Sequence, residues 1–430
     1  MNRILFICNR ITLSRNYTTM NHPKFKHTTN MLFSSKKILK AYLSCRKNKR
    51  RTHNALRFEV DFEHNLVTLQ RELVRHTYLP SRSLLFAVTY PKLREVFAAD
   101  FRDRIVHHLL VSALEPYYER TFIFASFACR KNKGLMRAVL HTQRLVRSVS
   151  HNGTSPAYYG QFDVRSFFTS IDKEILFDIV DTMIRSKISP RNREATRWLA
   201  KTLIFHDPTS NYQIKGAHSL LREVPKHKSL FGCPKGKGLP IGNLTSQFFA
   251  NVYLNELDQY VKRVLKVKYY IRYVDDIVVF SNDMKEIRQW RVQIDKFLTR
   301  KLKLRLHADK DVIKPVFAGL DFVGYIIFPD HLLTRNQIVK NLKTRLYLFN
   351  HGTLLMSNNQ NQIAMALSTP PSKKELAHIL AMVNSYYGHF RHAHCYNLRK
   401  NLYENHFGIL KQYLHPEGAY LSFKLINDHQ

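Results

Sequence analysis

Cysteine is scarce in this 430-residue chain: Cys8, Cys45, Cys129, Cys233 and Cys395 are scattered without a CxxC pair. That spacing argues against a zinc knuckle or a disulfide framework and points to a reduced, intracellular setting. Long apolar runs are missing as well. Those present are short, such as Ile277–Phe280, so none is long enough to span a bilayer. Acidic residues are few, and none precedes Glu59. No internal repeat is visible, which excludes a solenoid reading.

Positive charge is what the chain has in excess. Lys and Arg number 68 against 32 Asp and Glu, a formal net charge of +36. Such a field draws polyanions, and phosphate neutralisation with counterion release gives strong, salt-sensitive binding. A balanced charge mix would serve solubility equally well, and a membrane-surface role wants a basic amphipathic helix with a clean apolar face. Nucleic acid is therefore the favoured partner class, with no membrane. Hydrophobic residues make up 44% and aromatics 12%, enough for one large or two to three modest domains and too much for general disorder.

Residues 1–35 carry Arg3, Arg10, Arg15, Lys24 and Lys26 among Ser, Thr and Asn. They read as an Arg-rich transit peptide, a disordered basic arm, or an over-extended start with Met20 or Met31 as the true beginning. The last two are preferred, which makes a mitochondrial address the minor alternative to a cytoplasmic one. The run Arg46–Arg51 reads as a phosphate-binding loop or a solvated turn. Leu66, Leu69, Leu73 and Val74 recur at helical spacing, and Pro80 ends that stretch. Leu84–Thr89 is a strand candidate, 104–114 and 135–146 are helical, 157–162 is a strand, and 171–184 is a helix. Residues 211–238, rich in Lys, Gly and Pro, read as an exposed loop. This irregular alternation predicts an α+β architecture.

Three patterns carry chemistry. In Tyr269–Phe280, aromatic and β-branched residues flank the adjacent acids Asp275 and Asp276, which predicts a hairpin with both acids at or beside its turn. Asp favours turns anyway, but two carboxylates beside a buried strand are costly unless a cation neutralises them. Asp163 closes the strand candidate before Phe167-Phe168 and supplies a third carboxylate. Three such groups at two strand ends suit a pair of magnesium ions, which clamp the attacking and leaving oxygens of a phosphoryl displacement. The third pattern is Gly238–Phe248, a Gly/Pro loop opening a long helix to about Leu265. Asn243, Gln247 and Asn251 share one face of it. Helix capping accounts for Asn243 or Thr245 but not for Gln247.

Asp163 with Phe167-Phe168, Gly242 with Ser246-Gln247, and Tyr273-Val274-Asp275-Asp276 resemble, in this order, motifs A, B and C of reverse transcriptases. Asp309-Lys310 and Phe322-Val323-Gly324-Tyr325 follow at the spacing of motifs D and E. Pro91–Arg94, Phe101–Val106 and Ser126–Arg130 are similar to segments of the fingers, and the likeness spans about residues 36 to 410. Most reverse transcriptases place Gln-Gly and Ser-Pro in motif B. Ile241-Gly242 and Ser246-Gln247, with Asn243-Leu244-Thr245, Ala250–Leu254 and Tyr387-Gly388-His389, look instead like enzymes of diversity-generating retroelements.

The resemblance implies a right-hand polymerase fold, with fingers and palm over 36–330 and a helical thumb and tail over 331–430. It implies copying of a template-repeat RNA into adenine-mutagenised cDNA from a primer and deoxynucleoside triphosphates, with a small basic accessory protein. Asp163, Val164, Asp275 and Asp276 would hold two Mg²⁺ ions, with Mn²⁺ as a substitute. Lys310 would be a general acid toward pyrophosphate, although a solvated Lys fits nearly as well. Lys92, Arg94 and Arg104 would neutralise the triphosphate, and Phe168 would exclude a 2′-hydroxyl, a buried core Phe being the bland alternative. Gln247 would touch the nucleotide and, with Ile241 and Gly242, tune reading of the template. Phe322, Gly324 and Tyr325 would form the primer grip. His389, His392, His394 and Cys395 have no usual zinc spacing and read as RNA contacts and core. The departures from that family are the N-terminal extension and the longer loop at 216–236. Alternatives are a reverse transcriptase of an intron-like, retron-like or phage-defence lineage, or a non-catalytic RNA-binding protein on a polymerase fold.

Overall fold

The computed structural model describes residues 31–47, 49–50, 52–89, 92–351 and 371–426. Most of the basic N-terminal extension (1–30), Pro91, and Asn48 and Arg51 of the basic run lie outside the described residues. In chain order the strands are β1 (Ser83–Val88), β2 (Arg94–Ala98), β3 (Tyr158–Asp163), β4 (Tyr212–Ile214), β5 (Tyr269–Tyr273), β6 (Asp276–Ser281), β7 (Val312–Pro315), β8 (Leu320–Phe322), β9 (Tyr325–Ile327), β10 (Leu332–Thr334), β11 (Leu414–Glu417) and β12 (Ser422–Leu425). The chain divides into two compact units.

The first unit comprises Met1–Cys129, Asp163–Lys266 and Val292–Ala308. Its centre is the helix Phe101–Tyr118, packed between the helices Ser35–Arg46 and Leu244–Gln259. Ile105, Val106, Leu109, Leu110, Val111 and Leu114 are all buried, as a helix enclosed on most of its sides requires. A short sheet of order β2-β1-β4 joins this bundle, β1 pairing antiparallel with β2 and parallel with β4.

Residues 211–238 are thus not the plain exposed loop that their Lys, Gly and Pro content suggests. They contain β4, the short helix His218–Arg222 and two 3₁₀ turns, and Leu230 packs with Leu85 and Phe97. A few apolar residues (Leu221, Leu230, Phe231) sufficed to dock the segment, while composition averaged them away. The run at Arg46 also divides: Arg46 ends the first helix and pairs with Glu59 at 2.6 Å.

The second unit comprises Arg130–Phe162, Val267–Arg291 and Asp309–Gln430. Its main sheet has the order β5-β6-β3-β7. The helix Leu135–Val149 presents Ala138, Val139, Thr142, Val146 and Val149 as a buried stripe and packs on β5, β6 and β9. Gly160 lets another helix come close, since a Cβ there would lie 2.5 Å from Ile287 Cγ2 and 3.2 Å from Val279 Cγ2. A small sheet of order β8-β9-β10 follows. The helices Asn336–Asn350, Lys373–Phe390 and Tyr396–His406, with the β11-β12 hairpin, then close around Leu342, Phe349, Val383, Tyr387, Phe390 and Phe423. No helix among the described residues is long and apolar enough to cross a membrane.

Candidate active site

The acidic hairpin forms where alternation predicted it. β5 and β6 pair from Tyr269↔Phe280 to Tyr273↔Asp276, leaving Val274-Asp275 as a two-residue loop. Ile277 to Phe280 are buried while Asp275 and Asp276 stay partly accessible. Val274 has φ +55, a conformation costly for a β-branched residue and maintained only where surroundings enforce it. One enforcing contact is visible. Arg272, fully buried, donates from Nη1 to the Val274 carbonyl at 2.8 Å.

Gln161 ties β3 to this hairpin. Its Nε2 lies 3.1 and 3.3 Å from the two carboxylate oxygens of Asp276 and 3.1 Å from the Asp321 carbonyl. Gln161 stands two residues before Asp163, which ends β3, and side chains two apart on a strand point to one face. Asp163 is partly accessible and Val164 buried. The Asp163 carbonyl accepts from His307 N at 2.8 Å, and Val164 bridges Leu306.

The donor set is oxygen alone, which suits a hard divalent cation. Among the described residues, no group of three His, Cys, Asp or Glu side chains is gathered tightly enough to hold a metal.

The first unit carries the motif B loop. Asn243 precedes the helix Leu244–Gln259, but no side-chain cap forms. Its Oδ1 accepts from Ala99 N at 3.0 Å, and Thr245 Oγ1 meets His107 Nδ1 at 3.2 Å. Capping by Asn243 or Thr245 is therefore corrected: tertiary partners claim both side chains. The amide face is likewise split. Asn251 is buried and donates to the Ala128 carbonyl at 2.7 Å, whereas Gln247 is exposed. The Ile241 carbonyl accepts from Phe97 N at 2.9 Å. Lys92 and Arg94 are exposed, Phe168 is half-buried, and Arg104 donates from Nε to the Ala99 carbonyl at 2.8 Å. Lys310 is exposed on a 3₁₀ turn.

In the second unit, β8 and β9 form the hairpin expected at 322–325. Phe322 and Tyr325 are core residues, and the accessible part is the turn Val323-Gly324. The Gly324 carbonyl accepts from Arg335 N at 3.0 Å and lies 3.2 Å from His389 Nε2; Tyr325 OH donates to the His389 carbonyl at 2.8 Å and the rings stack 4.2 Å apart. Burial lowers the affinity of the His389 imidazole for protons against the opposing bond to the Gly324 carbonyl, with His392 and Arg335 adding to the lowering. Tyr273 and Phe322 meet edge to face at 6.4 Å.

The reverse transcriptase (RNA-dependent DNA polymerase) family matches residues 91–327, more than half of the chain. The chain belongs to the reverse transcriptase family. Its fold is accordingly the right-hand polymerase fold, built of mixed helices and sheets. Members of the family generally use divalent metal ions. Curated relatives include Protein YkfC of Escherichia coli, 26% identical over 60% of this chain and 70% of that protein. The group II intron-encoded protein LtrA of Lactococcus lactis is 21% identical over 62% of this chain and half of its own length. The COX1/OXI3 intron 2 protein of Saccharomyces cerevisiae is 20% identical, with 32% of its length covered. The chain thus spans half or less of these two intron proteins. Among solved structures, apo telomerase from Candida tropicalis aligns with a TM-score of 0.43 at 10% identity, covering 72% of this chain and 56% of that one. Candida albicans telomerase bound to a TWJ fragment of telomeric RNA aligns at 0.41 and 13%, covering 75% and 57%.

None of the sequence motifs marks Gln161, Arg272 or the bonds of His389. Gln161 had one usable signal, its place two residues before Asp163 on a strand. Arg272 had another, a lone cation inside an apolar strand, which must be buried with a partner.

Proposed function

We propose that this reverse transcriptase extends a primer on an RNA template with deoxynucleotides, Asp163, Asp275 and Asp276 holding two Mg²⁺ ions beside the Val164 backbone. Fingers and palm are assigned to 36–330 and a helical thumb to 331–430. The observation that carries the reading is the acidic hairpin tied through Gln161 to the end of the strand that Asp163 closes. The bound ions supply charge neutralisation at the attacking and leaving oxygens. The chain's own groups position: Phe168 lies beneath the sugar, Lys92, Arg94 and Arg104 draw the triphosphate, and Lys310 donates a proton to the departing pyrophosphate as a general acid. Phe322, Gly324 and Tyr325 form the primer grip through the Val323-Gly324 turn.

The finer assignment is a diversity-generating retroelement enzyme that misreads template adenine. Ile241 in place of Gln and the exposed Gln247 support it, as would a small basic accessory partner. The resemblance to LtrA and the yeast intron protein favours a second reading, a group II-like lineage. Primer extension on a defined RNA, with the cDNA sequenced, tests both. Asp163→Asn, Asp275→Asn and Asp276→Asn should each abolish extension and leave RNA binding and folding intact. Retained extension by the latter two would overturn the metal assignment, and errors spread evenly over the four template bases would favour the second reading.

A further inference from the structure

The segment folded from 211–238 connects two places in the first unit that matter to the nucleotide. At one end, β4 runs beside β1, and Lys215 N donates to the Leu85 carbonyl at 2.8 Å. Glu95 on β2, the residue after Arg94, is only 5% exposed. Its Oε2 accepts from Ser229 Oγ at 2.7 Å and its Oε1 from Leu230 N at 2.8 Å. A buried carboxylate is costly unless hydrogen-bonded, so these bonds fix Ser229-Leu230 against the strand.

At the other end the same segment grips the turn that carries Phe168. That turn is a helix of four residues, Phe167–Ser170, entered through Ser166 at φ +48. One turn is too short to be stable by itself, so its position depends on outside bonds. The segment provides them. Thr169 Oγ1 shares its hydrogen between the His227 carbonyl at 3.0 Å and the Ser166 carbonyl of its own turn at 2.9 Å, and Cys233 Sγ donates to the Thr169 carbonyl at 3.3 Å. Leu239 N donates to the Phe168 carbonyl and Gly238 N to the Ile171 carbonyl, both at 2.8 Å. Lys173 N donates to the Gly236 carbonyl at 2.9 Å, and Lys237 bridges Asp172.

We propose, taking Phe168 as the residue beneath the nucleotide sugar, that residues 226–239 form a strut from β2 to the Phe168 turn. Glu95 anchors it, and Thr169 and Cys233 complete its far end. All three are positioning residues that set the discrimination between deoxyribo- and ribonucleotides. The strut also fixes the Phe168 turn relative to the strand bearing Arg94, so the sugar contact and the triphosphate contact shift together.

The test is the ratio of kcat/KM for a deoxynucleoside triphosphate to that for its ribonucleotide, in single-nucleotide extension with the whole chain. Glu95→Gln, Thr169→Val and Cys233→Ala should each lower the ratio by about tenfold, the effect of one lost interaction of ordinary strength, through a lower ribonucleotide KM. Cys233→Ser, which keeps a donor, should restore the parent's ratio. In a Phe168→Ala background the same substitutions should leave the ratio unmoved. Strut variants that keep the parent's ratio while Phe168→Ala lowers it would overturn the strut. A Phe168→Ala ratio equal to the parent's would instead remove the sugar contact. Hydrogen exchange at amides 168–173 then decides the strut alone: faster exchange in Glu95→Gln supports it, and unchanged exchange overturns it. Thr169→Val serves that purpose if Glu95→Gln fails to fold.

Discussion

Gly242 should tolerate no side chain, and the cost of alanine there can be worked from its surroundings. Its φ is +120, and an added Cβ would lie 2.7 Å from Val96 Cγ1 and 3.2 Å from the Phe97 carbonyl oxygen. Backbone strain of that kind costs about 1–3 kcal/mol, and forcing a methyl into packed atoms about 1–3 kcal/mol more. The bonds Phe97 N to Ile241 O and Ala99 N to Asn243 Oδ1 flank the glycine, so the loop cannot retreat without breaking them. Gly242→Ala should therefore destabilise by about 2–6 kcal/mol, a large part of the roughly 5–15 kcal/mol that holds a domain. Gly216 is the control: its φ is +92, but nothing lies within 4 Å of its added Cβ, so Gly216→Ala carries strain alone. Urea unfolding midpoints of the two variants give the difference. Because the displaced strand is β2, which carries Arg94, Gly242→Ala should also raise the KM for the incoming nucleotide. Equal midpoints for the two variants would refute the steric argument.

RNA affinity should fall steeply from low to moderate salt, with a log–log slope reporting several phosphate contacts; a flat dependence in filter binding would contradict the charge reading. On the proposed diversity-generating reading, Ile241→Gln should raise discrimination opposite template adenine, since an apolar contact discriminates only roughly 10–200-fold where a hydrogen-bonding site does far better. Adenine error frequencies equal to the parent's in both Ile241→Gln and Ile241→Asn cDNA would place the infidelity elsewhere. Burial lowers the His107 pKa to about 3, with His206, His108 and Arg104 adding to it. Between the ordinary imidazole pKa and that value the unfolded chain binds a proton that the folded chain does not, so stability is lost as pH falls through this window. His107→Gln should flatten urea midpoints between pH 6 and about pH 4; an unchanged slope would show that His107 titrates normally.

Local pattern determined a good deal here. Alternation of aromatic and β-branched residues around Asp275-Asp276 predicts a hairpin because both strands and the turn lie within twelve residues of chain. The strand ending at Asp163 and the helix opening after Gly242 follow the same logic, and the order of these motifs carries the family. Tertiary structure alone decided the rest. Asn243 stands where a cap belongs, yet its side chain serves Ala99, 144 residues earlier. Gln161 and Asp276 are 115 residues apart, and Glu95 and Ser229 134. A Lys- and Gly-rich stretch reads as loop because composition reports mean polarity, whereas docking depends on a few bonds and a few apolar residues. Periodicity sees neighbours three or four residues away. The contacts that aim Phe168 and hold the Asp276 carboxylate join residues whose proximity exists only once distant segments have packed.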